Sequence, residues 1–333
     1  MGFAVAEDQE LVLPPLEERP LVTFALFAYN QEKYIREAVE GAFAQTYEPL
    51  EIILSDDCST DRTFEIMEEM AASYRGPHRV LVRQSPQNRR LLGHINDVVA
   101  GAQGEIVIMA AGDDISLPDR TSELVKIYVE WPITFAACSD FFPMGDVPIP
   151  FEDQTEKSLR EFTLFRHLAN VGGWGRGACY SYRKECFYWP TEIPEFIEIE
   201  DRVLPTRAAL LGKVAFHKSK LVRYRTPGET GQLEQKRRWQ RSKALSPIVN
   251  HLISILSIAR AQERISALEQ RFFISLLRLG FRVVTTENSK DGNSPRLNKF
   301  FTTLIKITIS LFLRMQRFFD FYSPILPPIK ARQ

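Results

Sequence analysis

From Leu21 onward, apolar runs alternate with amphipathic stretches along the chain. The run LVTFALFAY at 21–29 is apolar at consecutive positions, which is typical of a strand buried on both faces. After Asn30, apolar residues recur at helical spacing, and a second apolar run, EIILS, follows at 51–55. This alternation predicts strands and helices packed around a parallel sheet, an α/β fold.

The same alternation continues to about residue 225. It predicts a helix after the polar turn at 56–61, strands at 80–83, 105–111, 133–138 and 179–183, helices around 95–102, from Pro118 and from about 200, and a loop over 141–160. Beyond Gly231 the pattern indicates long helices without strands. We therefore expect a short disordered leader over 1–19, one α/β domain over 20–230 and a helical region over 231–333.

Composition narrows the class of protein. The 333 residues are 44% hydrophobic and 25% charged, as in folded globular proteins. The 42 Lys and Arg are matched by 42 Asp and Glu, so net charge does not favour a nucleic acid partner. The N-terminus lacks the pattern of a secretory signal. The four cysteines are scattered without metal or redox spacing, which favours a reducing cytoplasm: Cys58, Cys138, Cys179 and Cys186.

Paired aspartates follow two of the predicted strands. Asp56 and Asp57 follow the run at 51–55, and Asp113 and Asp114 follow the run at 105–111. Ligands of open α/β sheets bind beyond the carboxyl ends of the strands. An aspartate meets a nucleoside diphosphate through a divalent cation, or by accepting hydrogen bonds from base or ribose. We expect Asp57 at the base or ribose and the second pair at ribose and metal; turn formation and helix capping is the alternative for each pair.

The motifs around these aspartates resemble those of family-2 inverting glycosyltransferases. The resemblance covers about 20–125 closely and extends loosely to about 228. It rests on these motifs: Tyr29-Asn30, Gln45-Thr46, the DD-x-S-T-D turn at 56–61, Ala-x-Gly-Glu at 102–105, and Asp113-Asp114 followed by Pro118-Asp119-Arg120. It implies a GT-A fold, a Rossmann-like nucleotide-binding sheet flanked by helices, here with a C-terminal helical extension. Residues 20–125 would be the donor nucleotide half and 126–230 the acceptor half.

The resemblance also implies residue roles. Asp57 would contact the nucleobase, Tyr29 would help to hold the nucleoside, and Asp113 and Asp114 would form a shortened DXD-type site for Mn²⁺ or Mg²⁺, with Asp114 the more direct ligand. A histidine common in the family after the Tyr-Arg at 224–225 is replaced by Thr226-Pro227-Gly228. The cation would then depend on Asp114, the diphosphate and water.

A catalytic base is expected further along the chain. Transfer with inversion is a single displacement that needs one carboxylate to remove the acceptor proton. Glu200-Asp201, followed by Arg207, resembles the family's "ED" motif, which makes Asp201 the predicted base and Glu200 its neighbour on the acceptor side. Stabilisation of the helix N-terminus by both acids is the alternative. Trp174, in the glycine-rich stretch 172–179, is a candidate for stacking on an acceptor sugar.

The C-terminal tail carries a basic amphipathic pattern near 297–320. Its polar stripe follows helical spacing: Lys299, Thr303, Lys306, Ser310, Arg314 and Arg317. Such a helix suits the surface of an anionic bilayer, and packing against the catalytic domain or a second copy is the alternative. A peripheral position on the inner face of the cell membrane would suit a lipid-linked acceptor.

Three functions fit these features. The first is transfer of a sugar from a UDP- or dTDP-sugar to a glycan or lipid-linked acceptor in surface polysaccharide synthesis. The second is a sugar-phosphate nucleotidyltransferase, which would need a glycine-rich, basic loop after the first strand; 27–30 is not one. The third is a non-catalytic carbohydrate-binding protein on a decayed transferase fold, and the intact aspartates argue against it.

Overall fold

The fold is built on one nine-stranded sheet. The structure is a computed structural model that describes residues 11–144, 159–162, 176–191, 193, 194, 197, 200–225 and 249–287. The strands are β1 (Val22–Ala28), β2 (Leu50–Asp56), β3 (Arg79–Gln84), β4 (Ile106–Ala111), β5 (Ile115–Ser116), β6 (Thr134–Met144), β7 (Leu159–Phe162), β8 (Tyr180–Arg183) and β9 (Lys213–Arg225).

Eight α-helices are described beside the sheet. They are α1 (Ile35–Phe43), α2 (Thr63–Ser73), α3 (Arg90–Gly101), α4 (Arg120–Glu130), α5 (Glu185–Tyr188), α6 (Glu200–Leu211), α7 (249–261) and α8 (Ala267–Glu287). Short 3-10 turns lie at Leu16–Glu18 and Gly177–Cys179. Among these helices none has the length and apolar character needed to cross a bilayer.

The sheet order is β3-β2-β1-β4-β8-β6-β9-β5, with β7 on β9. The first four strands are parallel, as predicted. The expectation of a wholly parallel sheet is wrong, because β8 runs antiparallel to both β4 and β6. The predicted loop over 141–160 is also wrong at its ends, since β6 extends to Met144 and β7 begins at Leu159. Likewise α4 begins at Arg120, two residues after Pro118.

Two apolar layers cover the two faces of the sheet. Successive side chains of a strand point to opposite faces. Phe24 and Leu26 of β1 therefore join the layer beneath α1, α2 and α4, whereas Ala25 and Phe27 join the layer that contains α3 and α6. All seven residues of β1 are buried, which confirms the prediction of a strand covered on both faces.

The helices at 249–287 belong to the second of these layers. Leu252 and Leu256 of α7 and Phe273 of α8 are buried in one cluster with α3 and α6. Trp189 joins this packing, since its Nε1 donates to Gln262 Oε1 at 2.9 Å and Arg264 lies over its ring. A domain boundary near 231 stays a prediction, because 226–248 lie outside the described residues.

At both ends of the chain, the structure tests the predictions made from the sequence only in part. Residues 1–10 of the expected leader lie outside the described ranges, but Leu11 and Leu13 pack against the apolar layer beneath α1. Partial burial of these two leucines favours an ordered position for this part of the leader, because removing apolar surface from water is favourable. The amphipathic segment near 297–320 also lies outside the described residues.

Candidate active site

A cleft of 670 Å³ opens at the carboxyl ends of β1, β2 and β4. The register explains why these ends meet: Ala28 of β1 is level with Asp56 of β2, and Phe27 is level with Ala111 of β4. Six of the seven predicted site residues line the cleft: Tyr29, Asp57, Asp113, Asp114, Glu200 and Asp201. Trp174 lies outside the described residues.

The turn after β2 is held by its own hydrogen bonds. The buried Asp56 carboxylate accepts from the Ser59 amide at 2.8 Å, from the Ser59 hydroxyl and from Gln84 Nε2 at 2.9 Å. Asn30, at a φ of 52°, ties the end of β1 to this turn, because its side-chain oxygen accepts from the Thr60 amide at 2.8 Å. The turn thus has a rigid frame without any ligand.

Asp57 projects from this frame into the cleft. It is 3% exposed, and its Oδ1 accepts from the Arg89 amide at 2.8 Å. The hydrogen bond brings the loop at 88–90 to the same wall, and Asn88 and Arg90 line the cleft beside Asp57. Tyr29 stands at the mouth with 47% of its surface exposed. This end of the cleft offers one acceptor carboxylate and one exposed ring.

The turn after β4 is less complete. Asp114 is 5% exposed; its Oδ1 accepts from the Arg225 amide at 2.7 Å, but its buried Oδ2 has no hydrogen-bond partner among the described residues. Burial, followed by the nearby charge of Asp113, raises the pKa of Asp114 to about 7, although the Arg225 amide opposes the shift. Burial also raises the pKa of Asp113.

Two arginines support the Asp114 turn. Arg225 donates from Nε to the Asp113 carbonyl at 3.0 Å and from a terminal nitrogen to Glu37 at 2.8 Å. Arg120 is fully buried and donates to the Ser116 hydroxyl and to the carbonyls of Met109 and Ala178. Arg120 thereby joins the end of β4 to the segment that leads into β8.

Helix α6 supplies the opposite wall through its first two residues. Glu200 packs on Gly177, where a Cβ would come within 1.8 Å of Glu200 Oε1, so any larger residue at this position would have to displace this carboxylate. Burial and the neighbouring Asp201 raise the pKa of Glu200 well above its ordinary value. Both acids do lie in the first helical turn, but they also face the cleft that contains Asp114.

Several lining residues were missed by sequence reasoning. They are Gln31, Asn88, Arg90, His94, Arg176 and Tyr224. His94 packs edge-on to Phe27 and contacts Ser55 Oγ at 2.5 Å, and burial lowers its pKa to about 4, which keeps the ring neutral. For Arg176, the available signal in the sequence was its basic side chain within the glycine-rich stretch 172–179. Nothing in the local sequence shows that it reaches the cleft.

The donor set fits a cation only in part. Among the described residues, no group of three or more His, Cys, Asp or Glu side chains is arranged as a metal site. A buried carboxylate oxygen without a partner is nevertheless unfavourable unless something pairs with it. Asp114 Oδ2 is such an atom and lies in the cleft, so it fits the role of one oxygen ligand to a hard divalent cation.

Comparison with known proteins identifies the family. The model of "Glycosyl transferase family 2" matches residues 23–187, about half of the chain. An uncharacterised protein of Mycobacterium tuberculosis is 33% identical over 207 residues, 60% of this chain and 56% of that protein. The putative glycosyltransferase EpsE of Bacillus subtilis is 35% identical over 106 residues, 32% of this chain and 37% of EpsE.

A further relative is the succinoglycan biosynthesis protein ExoO of Rhizobium meliloti. It is 32% identical over 113 residues, 34% of this chain and 31% of ExoO. The chain thus spans just over half of the mycobacterial relative and about a third of the other two.

Solved structures confirm the predicted GT-A fold. S. aureus TarS 1–349 in complex with UDP-GlcNAc aligns with a TM-score of 0.61 at 17% identity, over 78% of this chain and 72% of that one. The mannosyltransferase PcManGT from Pyrobaculum calidifontis, in complex with GDP-Man and Mn²⁺, aligns with a TM-score of 0.54 at 16% identity, over 91% and 83%. The fold is thus the α/β GT-A fold, and through residues 23–187 the chain belongs to glycosyl transferase family 2.

Proposed function

We propose that this protein is an inverting glycosyltransferase that moves a sugar from a UDP- or dTDP-sugar to a hydroxyl of a glycan or lipid-linked acceptor. One observation carries the proposal: Asp57, the Asp113-Asp114 turn and the Glu200-Asp201 pair line a single cleft at the strand ends of a family-2 chain. Nucleotide sites of open α/β sheets lie at that edge.

The two ends of the cleft suit the two parts of a nucleotide sugar. Asp57 accepts hydrogen bonds from the base or ribose, and the Tyr29 ring packs against the nucleoside. The ribose contacts Asp113. The diphosphate lies beyond it, toward the turn formed by Asp113 and Asp114. TarS with UDP-GlcNAc and PcManGT with GDP-Man, both of the same fold, support a nucleotide-sugar donor.

Asp113 and Asp114 would hold Mn²⁺ or Mg²⁺ beside the diphosphate in this proposal. Asp114 Oδ2 would hold the cation, with Asp113 beside it. The cation supplies positive charge that stabilises the departing diphosphate. Support comes from Mn²⁺ in the PcManGT complex and from Asp114, whose buried Oδ2 has no partner among the described residues and whose pKa burial raises to about 7.

Asp201 acts as the catalytic base. It takes the proton of the acceptor hydroxyl while that oxygen bonds to the anomeric carbon, and the bond from this carbon to the diphosphate oxygen breaks. The nucleoside diphosphate departs with the bonding electrons. Attack from the side opposite to the leaving group inverts the anomeric centre. Glu200, held protonated by burial and by Asp201, contacts the acceptor sugar without competing for its proton.

The acceptor belongs to a surface polysaccharide, with Trp174 as a stacking residue. Similarity to ExoO, a succinoglycan biosynthesis protein, supports this product class. In the proposal the enzyme works in the cytoplasm on the inner face of the membrane, to which the segment near 297–320 holds it. Deleting the chain after Asn288 should abolish sedimentation with membranes, and unchanged sedimentation would remove this part of the proposal.

A thermal-shift screen of nucleotides, with and without Mn²⁺ or Mg²⁺, tests the function. We expect UDP or dTDP to raise the melting temperature only when the cation is present, since ligands that bind the folded state stabilise it. No response to any nucleoside diphosphate would favour a non-catalytic carbohydrate-binding protein. Formation of a nucleotide sugar from a nucleoside triphosphate and a sugar phosphate would show a nucleotidyltransferase instead.

A further inference from the structure

We propose that Arg176 is a diphosphate-binding residue, and that Phe141 and Tyr224 hold its guanidinium ready for this contact. The inference rests on the proposed function and adds a second positive group to the donor site, supplied by the chain itself. It concerns a residue of the glycine-rich stretch 172–179, for which sequence reasoning proposed a role only for Trp174, on the acceptor side.

The geometry fixes where the guanidinium lies. Its Cζ is 5.5 Å from the centre of the Tyr224 ring and 5.9 Å from the centre of the Phe141 ring. The two rings are themselves 5.2 Å apart. A guanidinium over aromatic faces is held by cation–π attraction and loses little further freedom when it binds a ligand. Two rings from β6 and β9 therefore orient one side chain from the loop before β8.

Arg176 lies at the diphosphate end of the cleft. Both Arg176 and Tyr224 line the cleft, and the residue after Tyr224 donates its amide to Asp114. The other lining arginine, Arg90, lies at the opposite end, because the adjacent amide of Arg89 donates to Asp57. The cleft thus places one arginine near each end of a bound nucleotide.

The charge of the site calls for such a group. Five acidic side chains line the cleft, and Glu200 is the one that we expect to be protonated: Asp57, Asp113, Asp114, Glu200 and Asp201. Within the described ranges, Arg176 forms no ion pair with any of them, and its guanidinium contacts the two rings. The guanidinium fork matches phosphate oxygens and binds them with charge-assisted hydrogen bonds. A diphosphate entering this acidic cleft would meet Arg176 as an available cation.

The test compares a nucleoside with its diphosphate. The dissociation constants of UDP, dTDP and GDP are measured by calorimetry in the presence of Mn²⁺. The diphosphate that binds most tightly is then compared with its own nucleoside, whose dissociation constant is measured by ligand-observed NMR. Arg176→Gln should weaken the diphosphate at least ~10-fold, the value of a hydrogen bond to a charged group, and change the nucleoside less than about 2-fold. Arg176→Lys should fall between wild type and Arg176→Gln.

Arg183 offers a matched control. Its guanidinium also lies over two rings, 5.5 Å from Tyr128 and 5.9 Å from Phe135, but it does not line the cleft. Arg183→Gln removes a stacked arginine that also donates to the carbonyls of Thr134 and Pro132, and it should leave both dissociation constants unchanged. A general loss of folding would weaken nucleoside and diphosphate together, whereas loss of a phosphate contact weakens the diphosphate alone.

The possible results distinguish the role proposed for Arg176 from the proposed function of the protein. A selective loss of diphosphate affinity in Arg176→Gln supports the inference. Equal diphosphate affinity in wild type and Arg176→Gln, or an equal loss for the nucleoside, would overturn it and leave the proposed function intact. Wild-type protein that binds none of the three diphosphates would overturn the proposed function and this inference with it.

Discussion

The two aspartate turns at the edge of the sheet differ in how fully they are satisfied. In the turn after β2, Asp56 accepts three hydrogen bonds and Asp61 accepts from the amides of Glu32 and Thr63. In the turn after β4, Asp114 Oδ2 is buried without a partner in the part of the chain that the structure describes. One turn is complete as it stands, whereas the other keeps an unpaired carboxylate oxygen.

This difference suggests that the two turns have different functions. Burying an unpaired polar atom costs free energy, and proteins keep such atoms mainly where a ligand, ion or water completes them. We therefore infer that the turn after β2 is a preformed nucleoside site and that the turn after β4 becomes favourable only when a cation binds. Neither turn performs the chemical step in our proposal; that step belongs to helix α6.

The largest expected effect separates binding from chemistry. Asp201→Asn should lower the rate of sugar transfer ~10²- to 10⁴-fold, the usual contribution of a general base, and leave the dissociation constant of the nucleoside diphosphate unchanged. Release of nucleoside diphosphate from UDP- and dTDP-sugars in the presence of membrane extract measures the rate.

Glu200→Gln is the matched control for this prediction. Burial and Asp201 raise the pKa of Glu200, so we expect a protonated acid there, and the neutral amide of glutamine resembles it. Most of the rate should survive. If Asp201→Asn keeps its turnover and Glu200→Gln loses it, the two roles are the reverse of those proposed.

The next prediction concerns the dependence on the cation. Asp114→Asn should lower the Mn²⁺-dependent affinity for the nucleoside diphosphate at least ~100-fold, because a cation contact is worth several kcal/mol. Asp57→Asn should weaken the nucleotide but keep the ratio of affinities with and without Mn²⁺. Calorimetry with Mn²⁺ and with a chelator gives both ratios. An unchanged ratio in Asp114→Asn would place the cation elsewhere.

The sequence predicted the donor half of the site because its residues directly follow their strands. Asp57 comes one residue after β2 and Asp114 three residues after β4, so local pattern alone put them at one edge of the sheet. The resemblance added Asp201. Strands β1, β2 and β4 were predicted because each contains a run of consecutive apolar residues.

The second half depends on contacts that no local pattern encodes. The position of β8 is set by its antiparallel pairing with β4 and β6, which lie far from it in the chain. Arg176 reaches the cleft through that pairing, and its ring partners come from two other strands. The buried Arg120 resembled a helix residue of a motif, but its hydrogen bond to Ala178 spans 58 residues.

A smaller effect should distinguish neighbouring aspartates of the first turn. Asp56→Ala leaves the Ser59 amide and Gln84 Nε2 without their acceptor and should lower the free energy of unfolding by ~1–3 kcal/mol. Asp57→Ala removes one amide contact and should act mainly on nucleoside affinity. Urea unfolding and nucleoside titration of both variants measure the two effects. Equal destabilisation by both would mean that Asp57 is as much a part of the frame as Asp56.

The smallest effect is a pH dependence that only the turn after β4 should show. The pKa of Asp114 is raised from 3.8 to about 7 in the folded protein, so between these values the folded state holds a proton that the unfolded state has lost. The free energy of unfolding should therefore rise as the pH is lowered from 8 to 6.

With a chelator present, wild type should gain ~1 kcal/mol of stability over this interval relative to Asp114→Asn, which cannot take up the proton. Saturating Mn²⁺ should reduce the difference, because the cation pairs with the carboxylate that the proton would otherwise neutralise. Equal pH slopes for both proteins under chelation would show that Asp114 is paired in solution, and the contrast between the two turns would be lost.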